Sequence, residues 1–239
     1  PQGLFLRREF CILLGKENLM KKTIVMIIVL LAASLACSLF TASAPSAPAQ
    51  SANILFQDNF SSTSSGWDQA SGDNGSTDYA NGAYRIYVSS TQYDAWANPG
   101  KSFDADVSVE VDVTKTAGPE NNDMGVICRY NTVNGNFNFY YFIISSDGFA
   151  MIAKMVDSSS SFLAEKATDP NPAIKMGNAT NHLRADCVGN QLTLYVNGTQ
   201  VMSVTDSELT GGGDAGLIAG TFDTAGTDAL FDNFAVAKP

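Results

Sequence analysis

From residue 53 onward the chain places apolar and polar side chains in short alternating runs, and almost nowhere at helical spacing. The cleanest run is Asp106-Val-Ser-Val-Glu-Val-Asp-Val-Thr114. Successive side chains on a strand point to opposite faces, so Val107, Val109, Val111 and Val113 share one face and Ser108, Glu110, Asp112 and Thr114 the other. The segment Asn181–Val204 predicts three consecutive strands joined by tight turns at Gly189-Asn190 and Asn197-Gly198. Asn-Gly between alternating runs is a strong hairpin signal, because both central residues of a type I′ turn need positive φ. Asp147-Gly148 predicts another hairpin.

The pattern gives candidate strands at 53–57, 66–70, 83–88, 93–97, 105–114, 124–131, 136–145, 148–156, 161–167, 181–188, 191–196, 199–205, 214–221 and 229–237. Many short strands separated by Gly, Asn, Asp and Ser predict an all-β domain: a jelly-roll sandwich of two antiparallel sheets. In Phe137-Asn-Phe-Tyr-Tyr-Phe142 both parities are aromatic, so alternation does not decide which one faces the core.

The front of the chain differs. Residues 20–37 have the layout of a secretory signal, with Lys21 and Lys22 ahead of an apolar stretch that ends in small residues and Cys37. The segment resembles a bacterial lipoprotein signal, which implies lipidation at Cys37 and an exported, membrane-anchored protein; cleavage near Ala49 and soluble secretion is the alternative. Residues 38–52 are rich in Ala, Ser and Pro and uncharged, the composition of a flexible tether. Residues 1–19 precede Met20 and are expected to be untranslated sequence, or else a leader; a mass-spectrometric peptide from them would exclude the first reading.

Residues 53–239 carry nine Lys and Arg against 22 Asp and Glu, a net charge of −13. That argues against nucleic acid, whose phosphates need a basic surface. Of four cysteines only Cys128 and Cys187 fall in this domain. Both sit at core-facing parity, so an exported domain can join them in one disulfide, with two buried free thiols as the alternative.

Several residues are candidates for binding or chemistry. Glu110 and Asp112 share a strand face, as paired carboxylates in glycosidases do. Trp96, Tyr140 and Tyr141 offer aromatic faces for sugar C–H groups. Arg129 alternates away from Cys128, and its guanidinium suits hydroxyls or carboxylates. An ion pair between Glu110 and Arg129 is the structural alternative. His182 is the sole histidine and supports no catalytic triad. The triplets Asp58-Asn59-Phe60 and Asp232-Asn233-Phe234 stand at the two ends of the domain.

Phe56-Gln-Asp58-Asn-Phe60, Gly66-Trp67, Cys128-Arg129 and Phe231-Asp-Asn-Phe234, with the meander of 181–204, resemble a group of exported bacterial concanavalin-like and laminin-G-like sandwiches. That group is related to a domain of 3-keto-disaccharide hydrolases. The resemblance implies a glycan or cell-surface polysaccharide as partner, and a structural Ca²⁺ near the termini with Asp58 and Asp232 as ligands. Glu110-Val-Asp112 also matches the start of the Glu-x-Asp-x-x-Glu motif of laminarinase-like hydrolases, but Lys115 replaces the proton donor. The expectation is therefore a carbohydrate-binding module without catalysis, contacting its ligand through Glu110, Asp112, Arg129, Tyr140 and Tyr141 on a concave face, with Trp96 on a loop or rim. The alternatives are a hydrolase or lyase of 3-keto-glycosides, and a protein-binding adhesion domain.

Overall fold

A computed structural model describes residues 5–7, 53–165 and 169–239. Cys37, the signal-like segment and the tether lie outside the described residues. All described strands fall into two antiparallel sheets. One runs in the order β1 (Phe5–Arg7), β6 (Tyr93–Ala97), β15 (Asp214–Gly220), β8 (Asp123–Val133), β9 (Asn136–Ser145), β10 (Ala150–Val156) and β11 (Ser159–Glu165). The other runs β14 (Thr199–Thr205), β13 (Gln191–Val196), β12 (Asn181–Val188), β7 (Val107–Ala117), β16 (Thr227–Ala237), β5 (Ala83–Val88), β4 (Gly75–Ala80) and β3 (Ala70–Gly72), with β2 (Ile54–Asp58) paired to β16. This is an all-β jelly-roll sandwich.

The main core lies between the sheets. The four valines of β7 meet Leu183, Ala185 and Leu194 on one side and Val126, Tyr140, Phe142, Ile152 and Leu217 from the seven-stranded sheet. Cys128 of β8 and Cys187 of β12 are joined by a disulfide that links the two sheets. At the β13–β14 turn Asn197 and Gly198 have φ of 50° and 81°, the two positive values a type I′ turn requires. Asp157-Ser158 makes the same kind of turn without glycine, at 48° and 63°.

Two elements differ from the sequence pattern. The run 66–70 is not a strand; a 3-10 turn at Thr63–Ser65 leads into a loop, and only Ala70–Gly72 pairs. Conversely Gly75–Ala80 is a strand that alternation did not announce. Its pairing with β5 turns Thr77 inward at 1 % exposure, so small and hydroxylated residues occupy the core face.

The terminal motifs are structural. Asp58 Oδ1 accepts from Phe60 N at 2.8 Å, and Oδ2 accepts from Trp67 Nε1 at 2.9 Å. Trp67 then packs edge-on against Phe234 at 4.8 Å and against Phe60 at 5.2 Å. The Phe-x-Asp-x-Phe, Gly-Trp and Phe-Asp-Asn-Phe signatures together fasten β2 to the last strand, where Phe234 lies opposite Asp58.

Candidate functional site

The expected contact residues do not share one face; they fall in three places. Glu110 and Asp112 lie on the outer face of the nine-stranded sheet, opposite Arg184 and His182 in register. Tyr140 points into the main core, while Trp96 and Tyr141 belong to a second apolar cluster. Trp96 is inside β6 and 2 % exposed, rather than on a loop or rim.

Arg129 serves the fold. A bulge between Cys128 and Asn131 gives it a φ of 56°. Its buried guanidinium donates to the carbonyls of Ala105, Leu209 and Gly189 at 2.9, 2.7 and 2.8 Å. Its closest carboxylate is Asp106, at 3.6 Å, so the expected pair with Glu110 does not form. Tyr140 is equally engaged: its hydroxyl donates to Asp206 at 2.5 Å and accepts from Leu209 N at 3.0 Å. Burial first, and then the bond to Asp206, push the phenol up to about 12.

The second apolar cluster lies on the outer face of the seven-stranded sheet, because β9 alternates: Tyr140, Phe142 and Ile144 turn inward, and Phe139, Tyr141 and Ile143 outward. Register sets the outward side chains in rows across the strands. One row is polar: Asp94, Gly220, Asp123 and Ser145. The next holds Trp96, Ile218, Gly125, Ile143, Met151 and Glu165. A third holds Gly216, Ile127, Tyr141, Ala153 and Phe162. Trp96 stacks edgewise on Phe137 and lies tilted against Phe139, each at 5.3 Å. The tyrosine hydroxyl of Tyr141 bonds Ser160 Oγ.

A cavity of about 330 Å³ opens where the polar row meets the apolar one. Its walls include Asp123, Ser145, Asp147, Met151, Glu165, Phe149, Phe222 and Asp223. Asn122 holds the rim by donating to Thr224 O at 2.9 Å and accepting from Phe222 N at 3.0 Å, which ties the loop after β15 to the start of β8. Gly148 closes the other side at a φ of 95°; a Cβ there would meet Pro170 Cβ at 2.7 Å. Carboxylates beside aromatic and apolar walls can accept hydroxyl protons while a ring packs on carbon.

On the nine-stranded sheet His182 stands between two carboxylates. Nδ1 is 2.8 Å from Asp112 Oδ1 and Nε2 is 3.6 Å from Glu110 Oε2. Glu110 first, then Asp112, hold the imidazole above its ordinary value against the opposing effect of burial. Glu110 is correspondingly lowered by its bond with His182. Asn233 donates to Asp112 Oδ2 at 2.9 Å, so Asp112 is engaged by both His182 and Asn233 while Glu110 faces the other imidazole nitrogen. The sequence offered no sign of this cluster beyond parity, because His182 lies 70 residues from Asp112 and only the β7–β12 register joins them.

Asp58 and Asp232 have their own local bonds: Asp58 as above, and Asp232 Oδ1 accepting from Asn233 N at 2.7 Å. Among the described residues no group of three or more His, Cys, Asp or Glu side chains forms a metal-binding cluster.

No family model matches the chain, and no curated protein matches it in sequence. Solved structures do. Carbohydrate-binding module CBM66 from Bacillus subtilis is similar at a TM-score of 0.57 and 20 % identity, over 72 % of this chain and 95 % of that one. A Bacillus subtilis protein of unknown function with a galectin-like fold matches at 0.60 and 13 % identity, over 78 % and 96 %. Bacillus licheniformis β-glucanase matches at 0.57 and 13 % identity, over 80 % and 100 %. The chain thus has the concanavalin-like sandwich that carbohydrate-binding modules and glucanases share.

Proposed function

We propose that this chain is an exported carbohydrate-binding module that works without catalysis, and that its ligand lies on the outer face of the seven-stranded sheet. The observation that carries the reading is the junction of the polar row with the aromatic rows at the 330 Å³ cavity. The size falls at the small end of the ~300–1,000 Å³ usual for small-molecule sites. Asp123, Asp147 and Asp223 supply acceptors, and Phe149, Phe222 and the Trp96 side of the sheet supply apolar surface. The inter-sheet disulfide supports export, since such bonds persist in oxidising compartments. Anchoring through Cys37 and the 38–52 tether completes the proposal.

The test is a glycan-panel screen of the full chain, run with Ca²⁺ and with chelator. Selective binding that weakens in Phe222→Ala and Asp223→Ala supports the reading. A folded protein that binds no glycan in either condition removes it.

A second reading, action on 3-keto-glycosides, is favoured by Asp94 and Asp123 standing two strands apart across Gly220. Turnover of a 3-keto-disaccharide that disappears in Asp123→Asn would establish it; no turnover in the wild type would dismiss it.

A further inference from the structure

Asp68, Asn98 and Asp214 come together where the loop before β3 and the turn after β6 meet the start of β15. Asn98 N donates to Asp68 Oδ2 at 3.4 Å, and Asp68 N donates back to Asn98 O at 3.2 Å. On its other side the Asn98 amide donates from Nδ2 to Ala215 O at 3.1 Å, next to Asp214. Asp214 Oδ1 accepts from Ala215 N and Oδ2 from Lys101 N, both at 2.9 Å, so the chain from Asn98 to Lys101 wraps its carboxylate. Gly216 leaves room for the amide: a Cβ there would lie 2.6 Å from Asn98 Nδ2.

Asn98 is 4 % exposed, and its Oδ1 has no hydrogen-bond partner. Turning the amide over would set that oxygen against the Ala215 carbonyl, so the hydrogen-bonding pattern fixes its orientation. A buried acceptor without a donor is unfavourable, and native proteins rarely keep one. Asp214 is buried and Asp68 half-buried, and neither forms an ion pair among the described residues. The Lys101 ammonium lies over the Phe56 ring instead, 5.9 Å from its centroid. What remains unmet here is oxygen and negative charge.

We propose that Asp68, Asn98 and Asp214 bind a hard divalent cation, with Ca²⁺ the best match. Carboxylate and amide oxygens, completed by backbone carbonyls and water, are the ligands that Ca²⁺ accepts in flexible geometry. The site is distinct from Asp58 and Asp232 and does not depend on the glycan reading. A cation there pins the 98–101 turn and the Trp67 loop onto β15.

Tb³⁺ used in place of Ca²⁺ reads the site, because Trp67 precedes Asp68 and Trp96 lies two residues before Asn98. In the EDTA-stripped full chain, excitation through tryptophan should give Tb³⁺ luminescence that Ca²⁺ displaces. Asp214→Asn and Asn98→Leu should each lower Tb³⁺ affinity about tenfold or more, while Asp232→Asn leaves it unchanged. Circular dichroism checks that each variant is folded, and Asp68→Asn stands in if either of the first two is not. No luminescence from the folded wild type overturns the proposal. So does a signal that survives the Asp68, Asn98 and Asp214 variants and vanishes in Asp232→Asn.

Discussion

Cutting the Cys128–Cys187 bond should destabilise the domain far more than any single surface change. The bond joins β8 in one sheet to β12 in the other and spans 59 residues of sequence. In the chain-entropy account a loop of that length removes roughly 14 cal/mol/K from the denatured state, which is about 4 kcal/mol at 25 °C. Both cysteines are fully buried, so reduction leaves the thiols in place and opens no large cavity. Typical domains have only about 5–15 kcal/mol in total. The assay is urea denaturation of the chain with Cys11 and Cys37 replaced by Ser, comparing oxidised protein with protein refolded under reducing conditions. With a slope near 2 kcal/mol/M, the midpoint should fall by roughly 2 M. Midpoints that agree within about 0.5 M would refute the reasoning, because the crosslink would then constrain nothing that the unfolded chain could otherwise explore.

Three further outcomes follow from the same geometry. Arg129→Lys should cost about 2–4 kcal/mol, because a single ammonium cannot serve the carbonyls of Ala105, Leu209 and Gly189 together; thermal melts check it, and a stable variant contradicts the clamp. Asp58→Ala leaves Phe60 N and Trp67 Nε1 without their acceptor and should cost about 2–4 kcal/mol in urea titration; a neutral result would mean the Trp67 loop is held otherwise. The His182 cluster sets a pH dependence. His182 is raised above its ordinary 6.5, so its contribution is full below that value and is lost as pH rises through the folded one. Glu110 is lowered from its ordinary 4.5, so its contribution is present above that value and is lost as pH falls through the folded one. His182→Gln should therefore flatten the decline in melting temperature above pH 6.5, and an unchanged slope would show that the imidazole contributes nothing.

The architecture was legible where one face of a strand is apolar and the other polar. The valines of β7, the Asn197-Gly198 turn and the matched parity of Cys128 and Cys187 each state their own placement. Legibility failed where both parities look alike. Phe137–Phe142 carries aromatics at both parities, so only the register of β8, β9 and β10 assigns Tyr140 to the core and Tyr141 to the outer face. Arg129 misled for another reason: simple alternation turned it toward a ligand, but the bulge after Cys128 sends its guanidinium into backbone carbonyls. The Asp58–Trp67 contact had no local signal either, because the two side chains lie nine residues apart and meet only through the loop that follows β2. The polar row of Asp94, Asp123 and Ser145 escaped notice because its members come from three strands and carry no local signature.

The central claim concerns which sheet carries the ligand. The most direct measurement is calorimetric affinity of the full chain for the best glycan from the panel, comparing Asp123→Asn and Phe222→Ala with Glu110→Gln and Asp112→Asn. The account predicts that the first two weaken binding about tenfold or more and that the second two leave it unchanged. Loss confined to Glu110→Gln and Asp112→Asn would move the site to the nine-stranded sheet and contradict it.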